Sequence, residues 1–142
     1  MSNIHFFSEE VDYRLKHQLR IIQWIKQIIS AESDKKISSI NFIFCSDDYL
    51  HQMNIQYLKR NTLTDIITFN NSDNLDVIDG DIFISLDRVS ENSDVYKTSM
   101  ENELHRVMIH GILHLLGYSD ISAAEKKIMR KKENECITLL EN

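Results

Sequence analysis

The segment His110-Gly111-Ile112-Leu113-His114-Leu115-Leu116-Gly117-Tyr118-Ser119-Asp120 places three metal-ligating side chains close together in the chain. Two histidines four apart on a helix differ by about 40° around its axis. Both imidazoles then point the same way and can share one cation. Gly117 supplies the positive φ with which a chain leaves a helix and turns back, so Asp120 can return a third ligand to the same point. Two nitrogens and a carboxylate leave the fourth position of a tetrahedral ion open, as a catalytic zinc site requires. The plain alternative is a pair of histidines satisfied in a core or on a surface. The glycine and the acid that follow, in a mostly apolar helix, weigh against it.

The neighbours on that helix support the same reading. With His110 at zero, Glu103 falls at about 20° and Arg106 at about −40°. The apolar residues Leu104, Met108, Ile109, Ile112, Leu115 and Leu116 fill the remaining circumference. The helix is therefore expected to be buried on most sides, with one polar stripe that needs partners. Arg106 on that stripe suits a phosphate contact, because a guanidinium pairs bidentately with phosphate; an ion pair with Glu103 is the alternative. His105 lies about 140° from His110 and reads as structural or exposed. The spacing also resembles the zinc protease motif HExxHxxGxxH, but Gly111 stands where those enzymes carry the glutamate base. A metallopeptidase is the rival reading, and it lacks its proton acceptor.

The elements that must position these residues follow from periodicity. Ile4–Phe7 reads as an edge strand and Val11–Ser30 as an amphipathic helix. Ile40–Cys45 alternates like a half-buried strand. Ser46 caps a short helix over Asp48–Tyr57. Thr64–Phe69 and Val77–Leu86 read as strands, with Gly80 as a bulge. A helix from about Ser93 to Leu116 carries the histidines. Ser122-Ala-Ala-Glu125 forms a capping box for a last helix to about Leu140. The pattern predicts an α+β fold, a single domain over residues 1–142. It has a small mixed sheet of about four strands packed with four to five helices, and a metal site at the end of a buried central helix.

His110-Gly-x-Leu-His114-Leu-x-Gly117-Tyr118 resembles the signature HGxLHLxGYDH of the YbeY family of bacterial metal-dependent endoribonucleases. Asn54-Ile-Gln-Tyr57 followed by Leu63-Thr64-Asp65-Ile66-Ile67-Thr68-Phe69 is similar to that family's LNxxYR…PTDVLSF, and Gly80-Asp81-Ile82 to its GDI strand. Ser119 and Asp120 replace the usual aspartate and histidine, Leu58 replaces the family arginine, and Leu63 the proline. The resemblance implies one zinc ion per chain on His110, His114 and Asp120. It also implies single-stranded RNA as substrate, a role in ribosomal RNA maturation and ribosome quality control, and the ribosome or its proteins as partners. Lys59 and Arg60, beside Leu58, are candidate substrate contacts or solvated loop charges. A ribosome-assembly protein with a structural metal is the non-enzymatic alternative.

Composition narrows the rest. The chain has 142 residues, 42% of them hydrophobic and 27% charged, with two cysteines, three glycines and no proline. That excludes a disulfide scaffold and low-complexity classes. Sixteen basic against 22 acidic residues give a net charge of −6, the wrong sign for a dedicated nucleic-acid binder and none suggestive of DNA. RNA would have to meet a local patch. Lys127, Arg130 and Lys131 on one face of the last helix are the best candidate, and a solvated face offset by Glu125, Glu133 and Glu135 is the alternative. Tyr118 could stack a base or close the metal loop. No apolar stretch reaches membrane length and no secretory signal is visible. With two unpaired cysteines, this points to the cytoplasm.

Overall fold

The computed structural model describes residues 3–141. The elements run β1 (Ile4–Glu9), α1 (Gln18–Glu32), β2 (Lys36–Cys45), α2 (Asp47–Leu58), β3 (Ile66–Asn70), β4 (Val77–Ser85), α3 (Leu86–Val95), α4 (Met100–Leu115) and α5 (Ala123–Glu141). The strands form one mixed sheet in the order β1-β2-β4-β3. β1, β2 and β4 are parallel, and β3 closes one edge antiparallel to β4. The α+β architecture expected from the sequence is the one observed.

Helix α4 is the centre of the molecule. Its apolar residues Leu104, Met108, Ile109 and Ile112 are fully buried. They share one core with Ile21, Ile25 and Ile28 of α1 and with Ile40, Phe42, Phe44, Ile82 and Ile84 of the sheet. α2 covers the opposite face, where Cys45, Leu50 and Ile67 form a smaller cluster. The C-terminal half of β2 is consequently buried on both faces and not half-buried.

Two glycines set how closely α4 lies on the sheet. A Cβ on Gly111 would stand 2.9 Å from Ile82 Cγ2, and one on Gly80 would stand 2.8 Å from the Leu115 methyls and 3.0 Å from the Phe69 carbonyl. Each glycine receives a side chain of the other element. Gly80 is therefore a packing residue, in register with Ile40 and Asn70; the irregularity in the ladder falls between Ile37 and Ser39.

Two helix boundaries differ from the periodicity. The first helix starts at Gln18 and not at Val11. Glu10 and His17 both take positive φ, and Leu15 is buried from irregular chain, so its apolar character mimicked another helical turn. The histidine helix starts at Met100 and not near Ser93; Ser93–Val95 belong to helix α3, which also takes up Leu86, read as the end of a strand, and the residues between. Ser85 Oγ accepts from Arg88 N at 3.2 Å, so the chain passes from β4 directly into a helix. Lys97, at φ 54°, breaks the run, and Ser99 Oγ caps α4 by accepting from Asn102 N. The capping box at α5 is present: Ser122 N donates to Glu125 Oε1 and Glu125 N to Ser122 Oγ.

Candidate metal centre

The C-terminal end of α4 brings His110 and His114 to one point. Their Nε2 atoms are 3.0 Å apart. The helix then ends in a Schellman turn. Gly117 adopts φ 103°, Tyr118 N donates to Leu113 O and Gly117 N to His114 O, each at 3.0 Å. The chain reverses, and Asp120 Oδ2 comes to 3.3 Å from His110 Nε2 and 3.6 Å from His114 Nε2. These three side chains form a group able to hold a metal ion.

The remaining ring nitrogens fix the chemistry of the cluster. His110 Nδ1 lies 2.6 Å from Glu133 Oε2, and His114 Nδ1 lies 3.1 Å from the Tyr118 carbonyl. Both partners are acceptors, so each Nδ1 donates to its partner, and a neutral ring held this way has its lone pair at Nε2. Two lone pairs and a carboxylate oxygen thus face one another with no donor between them, an arrangement a cation resolves. The three separations bracket the edge of a tetrahedron of about 3.3 Å that follows from zinc–ligand bonds near 2.0–2.1 Å. The donor set fits the metal implied by the sequence.

The field around the cluster is negative. Burial opposes charge on His110, but the hydrogen bond to Glu133 and the charges of Glu133, Asp120 and Asp65 outweigh it and hold its pKa above the ordinary histidine value. Burial pushes the Asp65 carboxyl upward, against the lowering effect of His110. It does the same to Glu103, against Arg106.

Two cavities flank the cluster, and His110 and Asp120 line both. One, of about 300 Å³, lies between α3, α4 and α5 and is bordered by Arg106, Lys126 and Arg130. The other, of about 420 Å³, runs along β3 and is bordered by Arg60 and Thr64. Asp65 lines both.

The sequence candidates fall out unequally. Arg106 reaches the first cavity while tied to Glu133 at 3.3 Å and, more loosely, to Glu103 at 3.8 Å. Arg60 borders the second cavity, whereas the Lys59 ammonium folds back toward the Gln56 carbonyl. Of the basic residues on α5, Lys126 and Arg130 border the first cavity. Lys127 and Lys131 are exposed, and Lys132 pairs with Glu32 and Glu135. The Tyr118 hydroxyl donates to Glu32 Oε2 at 2.8 Å, which pins the turn to α1. His105 is buried against the Trp24 ring, the structural of the two readings.

Two residues were not legible as parts of the centre. Glu133 read as a solvated charge, yet it is 5% exposed and holds both His110 and Arg106. It lies on another helix, so no spacing in the sequence relates it to His110. Asp65 reads as a strand residue near the site or as a turn cap, with no role assigned; its half-buried place beside the cluster depends on the packing of β3 beside α4.

Comparison with known proteins bears on the whole of this architecture. The family model described as Endoribonuclease YbeY matches residues 3–141. Among curated relatives, the Endoribonuclease YbeY of Flavobacterium psychrophilum is 47% identical, covering 94% of this chain and 94% of its own. That of Cytophaga hutchinsonii is 46% identical over 96% and 94%, and that of Amoebophilus asiaticus 44% over 94% and 90%. A solution structure of a Thermotoga maritima protein superposes with a TM-score of 0.67 at 26% identity, covering 96% of this chain and 88% of that one.

Proposed function

The chain belongs to the YbeY endoribonuclease family, and from that premise we propose that it is a zinc-dependent endoribonuclease that cuts single-stranded RNA during ribosomal RNA maturation. The carrying observation is the convergence of His110 Nε2, His114 Nε2 and Asp120 Oδ2 where two cavities meet. In this reading those three residues hold the ion. When bound, zinc supplies Lewis acidity, bringing the pKa of a water nucleophile to about 7 and polarising phosphoryl oxygens.

The chain's own residues do the rest. Glu133 keeps a proton on His110 Nδ1 and the Tyr118 carbonyl keeps one on His114 Nδ1, so both Nε2 atoms stay available as ligands. Arg106 and Arg60, one on each cavity, are the phosphate contacts. Arg106 retains unengaged N–H groups beyond its carboxylate partners. Lys59 assists only from the loop. The half-buried carboxyl of Asp65 lines both cavities, where a proton donor or acceptor for the reacting oxygens is needed. A working site in ribosome quality control, with the ribosome or its proteins as partners, follows the same family reading. Two free, buried cysteines are compatible with a cytoplasmic setting. Among the described residues no helix is long and apolar enough to cross a membrane.

The metallopeptidase reading meets a physical obstacle. Gly111, at the position of the protease glutamate, faces Ile82 and Ile66 of the sheet, where even a methyl group is crowded. A glutamate there would enter the core and not the metal centre.

Elemental analysis of wild type and Asp120→Ala tests the site, followed by digestion of single-stranded RNA, duplex RNA and casein. About one zinc per chain, lost in the variant, with cleavage of single-stranded RNA alone, is the expected result. A metal-free wild type that stays metal-free after zinc is offered and dialysed away would overturn the catalytic reading. It would leave ribosome association with no metal chemistry.

A further inference from the structure

The cavity between α3, α4 and α5 has features that metal binding does not use. Its volume of about 300 Å³ is at the lower end of the ~300–1,000 Å³ range of ligand pockets. Glu103 lines it at 3% exposure, and its Oε1 has no hydrogen-bond partner. The nearest cation, Arg106 Nε, is 3.8 Å away, beyond hydrogen-bond reach. A buried acceptor left open costs free energy unless a ligand supplies a donor. At the mouth, Tyr96 is 56% exposed and Arg130 lies over its ring, 5.5 Å from the centroid. An aromatic ring with a guanidinium plane is a platform on which bases stack.

The sign of the buried group selects the occupant. The Glu103 carboxylate repels a phosphate, so the phosphate stays at the end of the cavity beside Arg106 and the metal centre, and the uncharged base takes the part against Glu103. Among bases, adenine, cytosine and guanine offer an exocyclic amine to a carboxylate, as in the pairing of Glu with cytosine N4. Uracil presents its one N–H between two carbonyl oxygens, which the carboxylate repels.

Resting on the reading of this chain as an enzyme of single-stranded RNA, we propose that the α3–α4–α5 cavity is a nucleobase subsite. It takes an unpaired base adjoining the phosphate at the metal centre, stacks it on Tyr96 and Arg130, and reads its exocyclic amine through Glu103 Oε1. His110 and Asp120 line the same cavity, so a base seated here keeps its phosphate beside the ligand cluster. The subsite gives cleavage a sequence preference against uridine at one position.

The test uses the zinc-loaded full chain and fluorescein-labelled 2′-O-methyl decamers of A, C and U, with binding read by anisotropy. Cleavage rates of the ribose decamers are measured alongside. The A and C decamers are expected to bind about five- to tenfold tighter than U. Glu103→Gln should narrow that ratio toward one, and Tyr96→Ala should weaken all three decamers by about tenfold. Tyr96 is exposed, so its variant keeps the test decisive should Glu103→Gln not fold. Equal binding of A, C and U by wild type, or undiminished binding by Tyr96→Ala, overturns the subsite while cleavage still upholds the enzyme. A wild type that neither binds nor cuts any decamer overturns the RNA reading and the subsite together.

Discussion

Glu133 shows how much of the centre's chemistry rests on a residue that would bind no metal. Its Oε2 lies 2.6 Å from His110 Nδ1, and Oε1 lies 3.3 Å from Arg106 Nη1. One carboxylate thereby orients a ligand and steadies the neighbouring cation. Glu133→Gln keeps the shape and removes the charge, so zinc affinity is expected to fall about 10–100-fold. Competition with a chelator dye measures this, and an unchanged affinity would show that the 2.6 Å contact is incidental. His105 gives a pH prediction at the same scale. Burial, the dominant influence, holds its pKa below the ordinary histidine value. The folded chain keeps it neutral while the unfolded chain takes up a proton as pH falls through about 6.5. Stability should therefore drop on acidification below that point. Urea unfolding of chelated wild type and His105→Gln, from pH 7.5 to 5.5, should show wild type losing more. Parallel curves would contradict it.

At the scale of elements, the junction after α4 does two jobs with one turn. The Schellman geometry satisfies the helix's last carbonyls and brings both the Tyr118 carbonyl and Asp120 to the histidines. Only glycine takes φ 103° without strain. Gly117→Ala is expected to cost about 1–2 kcal/mol of stability and to weaken zinc binding further, because two of its consequences concern the ligands. The contact between α4 and β4 is the other constraint. Gly111→Leu must displace Ile82 and Ile66 from a packed interface. A loss of about 1–3 kcal/mol, read as a lower midpoint in urea, is expected. A stability equal to wild type would mean that α4 can lift off the sheet freely.

For the whole molecule, an acidic chain has to attract a polyanion. The net charge is −6, and the cations near the cluster are Arg60, Arg106, Lys126 and Arg130. Carboxylates already engage Arg106 and partly engage Arg130. Contact with about three phosphates gives a plot of log affinity against log salt a slope of about −2 for single-stranded RNA. A slope steeper than twice that would place the RNA on a larger surface than these cavities offer. Metal and fold should also be coupled. A ligand at a hundred times its dissociation constant adds about 2.7 kcal/mol to stability, so wild type should melt higher with rising zinc. Asp120→Ala should lose that dependence, and a melting point indifferent to zinc in wild type would rule out specific binding to the native state.

The sequence by itself determined the local parts. His110 and His114 share a helix face because four residues nearly complete a turn, and Gly117 permits the reversal that returns Asp120. The capping box at Ser122, the cap at Ser46 and the alternation of β4 are local too, and so were legible. Helix α3 and the late start of α1 were not. Apolar residues such as Leu15 are buried by tertiary packing outside any helix, and a serine cap carries little signal within a strand-like run. The tertiary structure alone decided that Glu133, from a different helix, orients His110. It also turned Gly111 toward the sheet and left Glu103 Oε1 buried beside a cavity without a hydrogen-bond partner. Those relations join residues distant in the chain, and such distances are set by how α4 packs between the sheet and α5, which no periodicity along one segment encodes.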